Sequence, residues 1–267
     1  DLSRRPDPVP GARGPDAPVR SVSVSLDRLA LNEGIALRAF EGDFALGDTL
    51  VGRFDAQVGG SDAARIEGRI VPGDTGPRVT LAGADAGAVL RGAGLLQTVR
   101  GGSLALSLAP VPGGAQGLDG TLTVRNARLQ DAPGIASLLD AVSVVGIIDQ
   151  LEGPGILFSE IDARFRLEPG RVVVSRASAV GPSMGLSLDG YYDLQTEEVD
   201  MQGVLSPVYF LNAIGRVFAR RGEGLVGFTF TLRGPRAAPS VAVNPLSALT
   251  PGLFREIFRR PPPVLSD

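Results

Sequence analysis

Carboxylates are the side chains in this chain with the most scope for chemistry, because the usual catalytic groups are missing. The 267 residues contain no His, Cys, Trp or Lys, so all 26 basic residues are Arg. That removes the imidazole base, the thiolate nucleophile and the ordinary zinc or copper site. It also removes the P-loop lysine, the Schiff base and the Ser-Lys dyad. Two acidic groups remain: Glu160 and Asp162, two apart, and Glu197-Glu198 with Asp200. A pair of carboxylates can run glycoside hydrolysis. Here the bland alternative is stronger, since Arg164, Arg166 and Arg176 are near enough in sequence to balance them on a solvated face. A sugar cleft would also favour aromatic platforms, and the chain has three Tyr and no Trp. No catalytic residue, metal ligand or cofactor site is expected, and the chain is read as a non-enzyme.

Other tokens carry little chemistry. Gly92-Ala93-Gly94 and Gly222-Glu223-Gly224 lack the strand-to-helix setting of a nucleotide fingerprint and read as turns or caps. A net charge of −3 argues against nucleic acid as a partner. Absence of Cys leaves the redox compartment open.

The elements that would position a site alternate with period two. Val22, Val24 and Leu26 oppose Ser21, Ser23 and Ser25, with a parity change at Leu29 and Leu31 that predicts a bulge or bend. Phe54, Ala56 and Val58 oppose Arg53, Asp55 and Gln57. Ile161, Ala163, Phe165 and Leu167 oppose Asp162, Arg164, Arg166 and Glu168. The same rhythm recurs at Leu104–Leu108, Leu122–Val124, Met184–Leu194, Val199–Leu205 and Val226–Leu232. Such alternation predicts antiparallel strands buried on one side. Turns are expected at Glu168-Pro169-Gly170, Asp189-Gly190 and Asp119-Gly120.

Four segments switch to helical spacing. One is capped by Asp85, carries Val89, Leu90, Ala93 and Leu96, and stops at Gly101-Gly102. A second opens at Pro133 and runs through Ile135, Leu138, Leu139, Val142 and Val145 to Gly153-Pro154. A third follows Ser206-Pro207. The fourth follows Thr250-Pro251, with Phe254, Ile257 and Phe258 on one face and Arg255, Arg259 and Arg260 on the other. This last helix is a candidate membrane or partner contact through Phe254, Ile257, Phe258, Arg255 and Arg259. The second helix is too interrupted by Asp140 and Asp149 to span a bilayer.

Residues 1–20, with five prolines, read as a disordered Pro/Arg-rich linker. Residues 21–260 read as the folded domain, and residues 261–267 as a disordered tail. Because the chain starts at Asp1, a C-terminal fragment of a longer protein is expected, with any anchor or signal upstream.

The stretch from Asp189 to Phe258, above all "LDGYYDLQTEEVDMQGVLSPVYFLNAIGRVF" and Asn244-Pro245-Leu246-Ser247-Ala248-Leu249, resembles the C-terminal region of AsmA-like proteins. The YhdP/TamB type of bridge-like lipid transport protein is the nearest variety. Gly83–Leu106 resembles a helix-then-strand element of the same family, and the likeness extends over about Ser21 to Arg260. It implies an elongated, curved antiparallel sheet forming an apolar groove, with about four short helices. It further implies a periplasmic lipid conduit in Gram-negative bacteria, anchored in the inner membrane by upstream sequence. Such a protein moves phospholipid towards the outer membrane. The alternative is a structural or assembly module docking an outer-membrane partner. The expected groove face comprises Ile161, Phe165, Leu186, Leu188, Val226, Phe228 and Phe230, with phospholipid acyl chains as ligand. Arg164, Arg166, Thr229 and Arg233 are expected in solvent.

Overall fold

The computed structural model describes residues 20–31, 35–60, 63–114, 116–141, 153–207, 227–244, 247 and 262–263. The first half of the sheet comprises β1 (Arg20–Ala30), β2 (Ala36–Leu46), β3 (Leu50–Val58), β4 (Ala64–Val71) and β5 (Arg78–Gly83). Helix α1 (Ala86–Gly92) follows, then the two-residue β6 (Val99–Arg100), β7 (Ser103–Pro110) and β8 (Leu118–Leu129). After α2 (Pro133–Ala141) come β9 (Ile156–Glu168), β10 (Arg171–Val180), β11 (Met184–Asp193), β12 (Glu198–Pro207), β13 (Phe228–Pro235) and β14 (Ser240–Asn244). Thirteen strands form one antiparallel meander in sequence order, and β6 pairs with β8 on the side that β7 occupies. The sheet is open: β1 and β14 are its two ends.

Residues paired across an antiparallel ladder point to the same face, so the register converts local alternation into a surface. One row crosses all thirteen strands: Val24, Gly42, Phe54, Gly68, Leu81, Leu106, Leu122, Ala163, Ala177, Leu188, Gly203, Phe230 and Val243. The next row, from Val22 through Phe44, Ile70, Leu108, Phe165 and Met201 to Val241, is equally free of polar side chains. The opposite face carries Asp43, Asp55, Arg65, Asp162, Arg164, Arg176 and Arg233. Surface pairs such as Arg65–Asp55 at 2.7 Å and Arg233–Asp200 at 3.1 Å add little stability there.

Two bulges keep the apolar face continuous. In β10 the register shifts by one residue around Ser175, so Val172 and Val174 before it and Ala177 and Ala179 after it share a face despite opposite parity. In β2 the extra residue lies between Arg38 and Glu41, where Ala39 has φ 44°. The parity change expected at Leu29 occurs without a bulge in β1. The β1–β2 register does not shift from Arg20 to Ala30, Asp27 and Ala39 are left out of the pairing, and Val24 and Leu29 pack against the same core.

Phenylalanines flatten this face. Phe44, Phe54, Phe165 and Phe230 lie over Gly52, Gly68, Gly120 and Gly203, their direct cross-strand partners. A Cβ at Gly203 would sit 2.6 Å from Phe230 Cζ. The rings occupy space that a side chain would need, so these glycines are required by packing. That explains one failed turn expectation. Asp119-Gly120 lies inside β8 because Gly120 accommodates the Phe165 ring. Asp189-Gly190 lies inside β11, where a Cβ on Gly190 would meet Met201 Cα at 2.6 Å. The turn at Pro169-Gly170 joins β9 to β10 as expected, with Gly170 at φ 81°.

Two α-helices occur among the described residues, against about four expected. The segments after Ser206-Pro207 and Thr250-Pro251 lie outside those residues, as do the linker up to residue 19, Val142 and Val145. Helix α1 begins as expected, with Asp85 accepting from the Ala88 amide at 2.9 Å. It ends earlier than expected. Gly94 at φ 71° donates to Arg91 O and Leu95 to Leu90 O, the paired bonds of a Schellman stop. Leu96 therefore sits in a loop, not on the helix.

Both helices pack on the apolar face. Ala86, Val89 and Leu90 of α1 join Ala56, Val58, Ile66, Leu104 and Val124 in one core. Leu138 and Leu139 of α2 join Ile156, Met184, Leu186, Leu205 and Phe230 in the other. Burying each such Leu or Ile contributes about 1.5–3 kcal/mol.

Candidate functional site

Between α2, the 95–99 loop and strands β8–β13 lies a cavity of about 540 Å³. Its walls are Leu95, Leu96, Ala127, Leu138, Phe158, Ile161, Leu186, Leu188, Phe230 and Leu232, among other residues, and its charged lining is Arg128, Glu197 and Arg236. The volume falls within the range of small-ligand sites, and the lining is apolar with a few polar groups.

A long-range contact defines how this space arises. The β7 line and β13 are six strand spacings apart, roughly 29 Å along a flat sheet. Arg236, just beyond β13, nonetheless donates to Leu95 O at 3.2 Å. Leu95 lies four residues before Val99, a reach of at most ~13 Å. The sheet must therefore curl, with the helices and the apolar rows on its inner side. Arg236 also approaches Glu197 at 3.7 Å, so the last hairpin, the β11–β12 turn and the 95–99 loop meet over the cavity.

The expected face residues divide. Ile161, Leu186, Leu188 and Phe230 all line the cavity. Phe165 and Phe228 share their face by register but lie outside the cavity lining. Val226, Phe254, Arg255, Ile257, Phe258 and Arg259 lie outside the described residues. Of the side chains expected in solvent, Arg164 and Arg233 are exposed. Arg166 and Thr229 are not: they are 7% and 4% exposed. Arg166 stays on the polar face, its Nε donating to Asp119 Oδ1 at 2.7 Å and an Nη to Oδ2 at 3.1 Å. A bidentate carboxylate lets a guanidinium be buried there. Thr229 is covered where its amide donates to the buried Ser247 Oγ at 2.8 Å.

Sequence reasoning missed Ala127 and Phe158, which pair with one another and are both buried although their parity opposes that of Val124 and Ile161. Asn126, at φ 56°, is where β8 turns over. The unalternating run Ile156-Leu157-Phe158 was the available signal. Nothing in the sequence marked Leu95 or Arg236, and Leu96 was expected on α1, not in the loop that borders the cavity.

The carboxylates do not converge on the cavity as a catalytic pair. Asp162 accepts from Thr123 Oγ1 at 2.8 Å on the opposite face, and Asp200 pairs with Arg233. Asp193 is held below the usual aspartate range because the amides of Thr196 and Gln195 donate to its carboxylate, which fixes the β11–β12 turn. Among the described residues no acidic cluster could hold a metal ion, and no helix is long and apolar enough to cross a membrane. No family model, curated protein or solved structure matches the chain.

Proposed function

We propose that this chain is a non-enzymatic lipid-conduit module. It holds phospholipid acyl chains against the inner face of its sheet, as the C-terminal part of an AsmA-like protein. In that reading the protein is periplasmic, anchored in the inner membrane by sequence outside this chain, and passes phospholipid between inner and outer membrane. The observation that carries the proposal is the thirteen-residue apolar row from Val24 to Val243, which no polar side chain interrupts. A face of this extent, with no second sheet against it among the described residues, needs a hydrocarbon covering. Helices α1 and α2 cover part of it and leave a cavity beside them. The apolar groove is the continuation of that cavity along the rows.

The test is mass spectrometry of the purified chain for co-purifying phospholipid, with near-stoichiometric lipid expected and a lipid-free protein refuting the proposal. The second reading, an assembly module docking an outer-membrane partner, draws on one observation: β1 is an eleven-residue edge strand with exposed Val22 and Leu26. Lipid-free protein that captures a strand-donating partner would favour it.

A further inference from the structure

The loop between α1 and β6 presents Leu95 and Leu96 side by side, each 47% exposed. No other two of the large apolar side chains exposed among the described residues are neighbours in sequence. Adjacent exposed leucines would ordinarily collapse onto the nearby apolar face. Here the backbone that carries them is held from several sides. Arg91 donates to Val99 O at 2.7 Å, Arg100 to the carbonyls of Gln97 and Val99, and Arg236 to Leu95 O at 3.2 Å. The Gln130 amide completes the clamp on Thr98 O at 2.9 Å. The same guanidinium groups that grip the loop also surround it with positive charge. Arg128, paired with Arg100 across β6–β8, lines the same cavity. Against these four arginines stand Glu197, beside Arg236, Glu198, which pairs with Pro235, and Asp131, which follows the Gln130 contact. The local balance is positive on a chain whose net charge is −3.

The geometry points to a membrane-docking tip: Leu95 and Leu96 insert at the surface of an anionic phospholipid bilayer while the arginines face its phosphates. Two apolar side chains ringed by Arg are the composition of an interfacial contact. Both leucines also line the cavity, so an acyl chain leaving the bilayer at this point meets apolar surface all the way inside. This inference rests on the lipid reading and names where the cavity meets a membrane.

The chain has no Trp, so Leu96→Trp introduces a single fluorophore at the tip. With vesicles of phosphatidylglycerol and phosphatidylethanolamine, its emission should shift to the blue and be quenched by brominated acyl chains. Neutral phosphatidylcholine vesicles should leave it unchanged. Salt should weaken the association, since the attraction is screened. Arg100→Gln with Arg236→Gln should weaken it at least tenfold in vesicle flotation, and Leu95→Ser with Leu96→Ser should abolish flotation while circular dichroism stays β-rich. Flotation of the wild-type chain with no change in Leu96→Trp emission would place the membrane contact elsewhere and overturn the inference. Equal binding to neutral and anionic vesicles, or no flotation, would do so too. Co-purifying lipid without flotation defeats this inference alone. Flotation of a chain that carries no lipid defeats the conduit and leaves the docking tip standing.

Discussion

A charge on the cavity wall should be tolerated by the fold and not by the cargo. Leu188 is half-buried, lines the cavity and sits between Ala177 and Gly203 in the apolar row from Val24 to Val243. Leu205, on the neighbouring strand and the same face, is 0% exposed and packed in the α2 core. In Leu188→Asp the carboxylate faces a space large enough for on the order of ten waters, so it keeps much of its hydration. The cost reduces to lost apolar contact, about 2 kcal/mol. Leu205→Asp loses a full side-chain burial and places an unpaired carboxylate in a dry core, together about 5 kcal/mol or more. The difference, about 3 kcal/mol, is roughly a hundredfold in the folding equilibrium. Denaturant unfolding measures the stabilities, and mass spectrometry measures bound phospholipid per chain. Leu188→Asp should fold, keep its β spectrum and lose its lipid, while Leu205→Asp should be largely unfolded. If Leu188→Asp were as unstable as Leu205→Asp, the wall would be ordinary dry core. If it folded and kept a full complement of lipid, hydrocarbon would not lie against this wall.

Gly203→Ala should drive the Phe230 ring off its seat into the cavity, because the new Cβ would lie 2.6 Å from Phe230 Cζ and press on the Ser187 carbonyl. Denaturation should show a loss of about 2–3 kcal/mol, and an unchanged midpoint would mean the ring moves freely. Asp119→Ala removes the bidentate partner of the buried Arg166, with an expected cost of about 2 kcal/mol; a change within error would show that solvent replaces it. Asp193, whose folded pKa lies below its unfolded value, contributes stability above that unfolded value and loses it as pH falls through the folded one. Its carboxyl carbon, followed by NMR, should titrate below the ordinary aspartate range, and titration at the ordinary value would refute the turn bonds from Gln195 and Thr196.

Local alternation carried most of what the chain reveals by itself. Side-chain direction in a strand is set by the backbone one residue at a time. Ile161-Ala163-Phe165 against Asp162-Arg164-Arg166 therefore specifies a one-sided strand with no knowledge of its neighbours. The start of α1 was equally legible, since Asp85 caps an adjacent amide. What crosses from strand to strand was not. Asp119-Gly120 and Asp189-Gly190 have turn chemistry, and only the Phe165 ring and the β12 backbone explain why both glycines lie within strands. The parity changes at Ser175 and Ala39 are meaningful once the partner register is known. Arg166 reads as a solvated charge until Asp119, 47 residues away, comes beside it. Arg236 and Leu95, 141 residues apart, meet because the sheet curls. Pleat and capping are short-range consequences of covalent geometry. Register, curl and the cavity they enclose depend on packing between residues distant in sequence, so tertiary structure alone decided them.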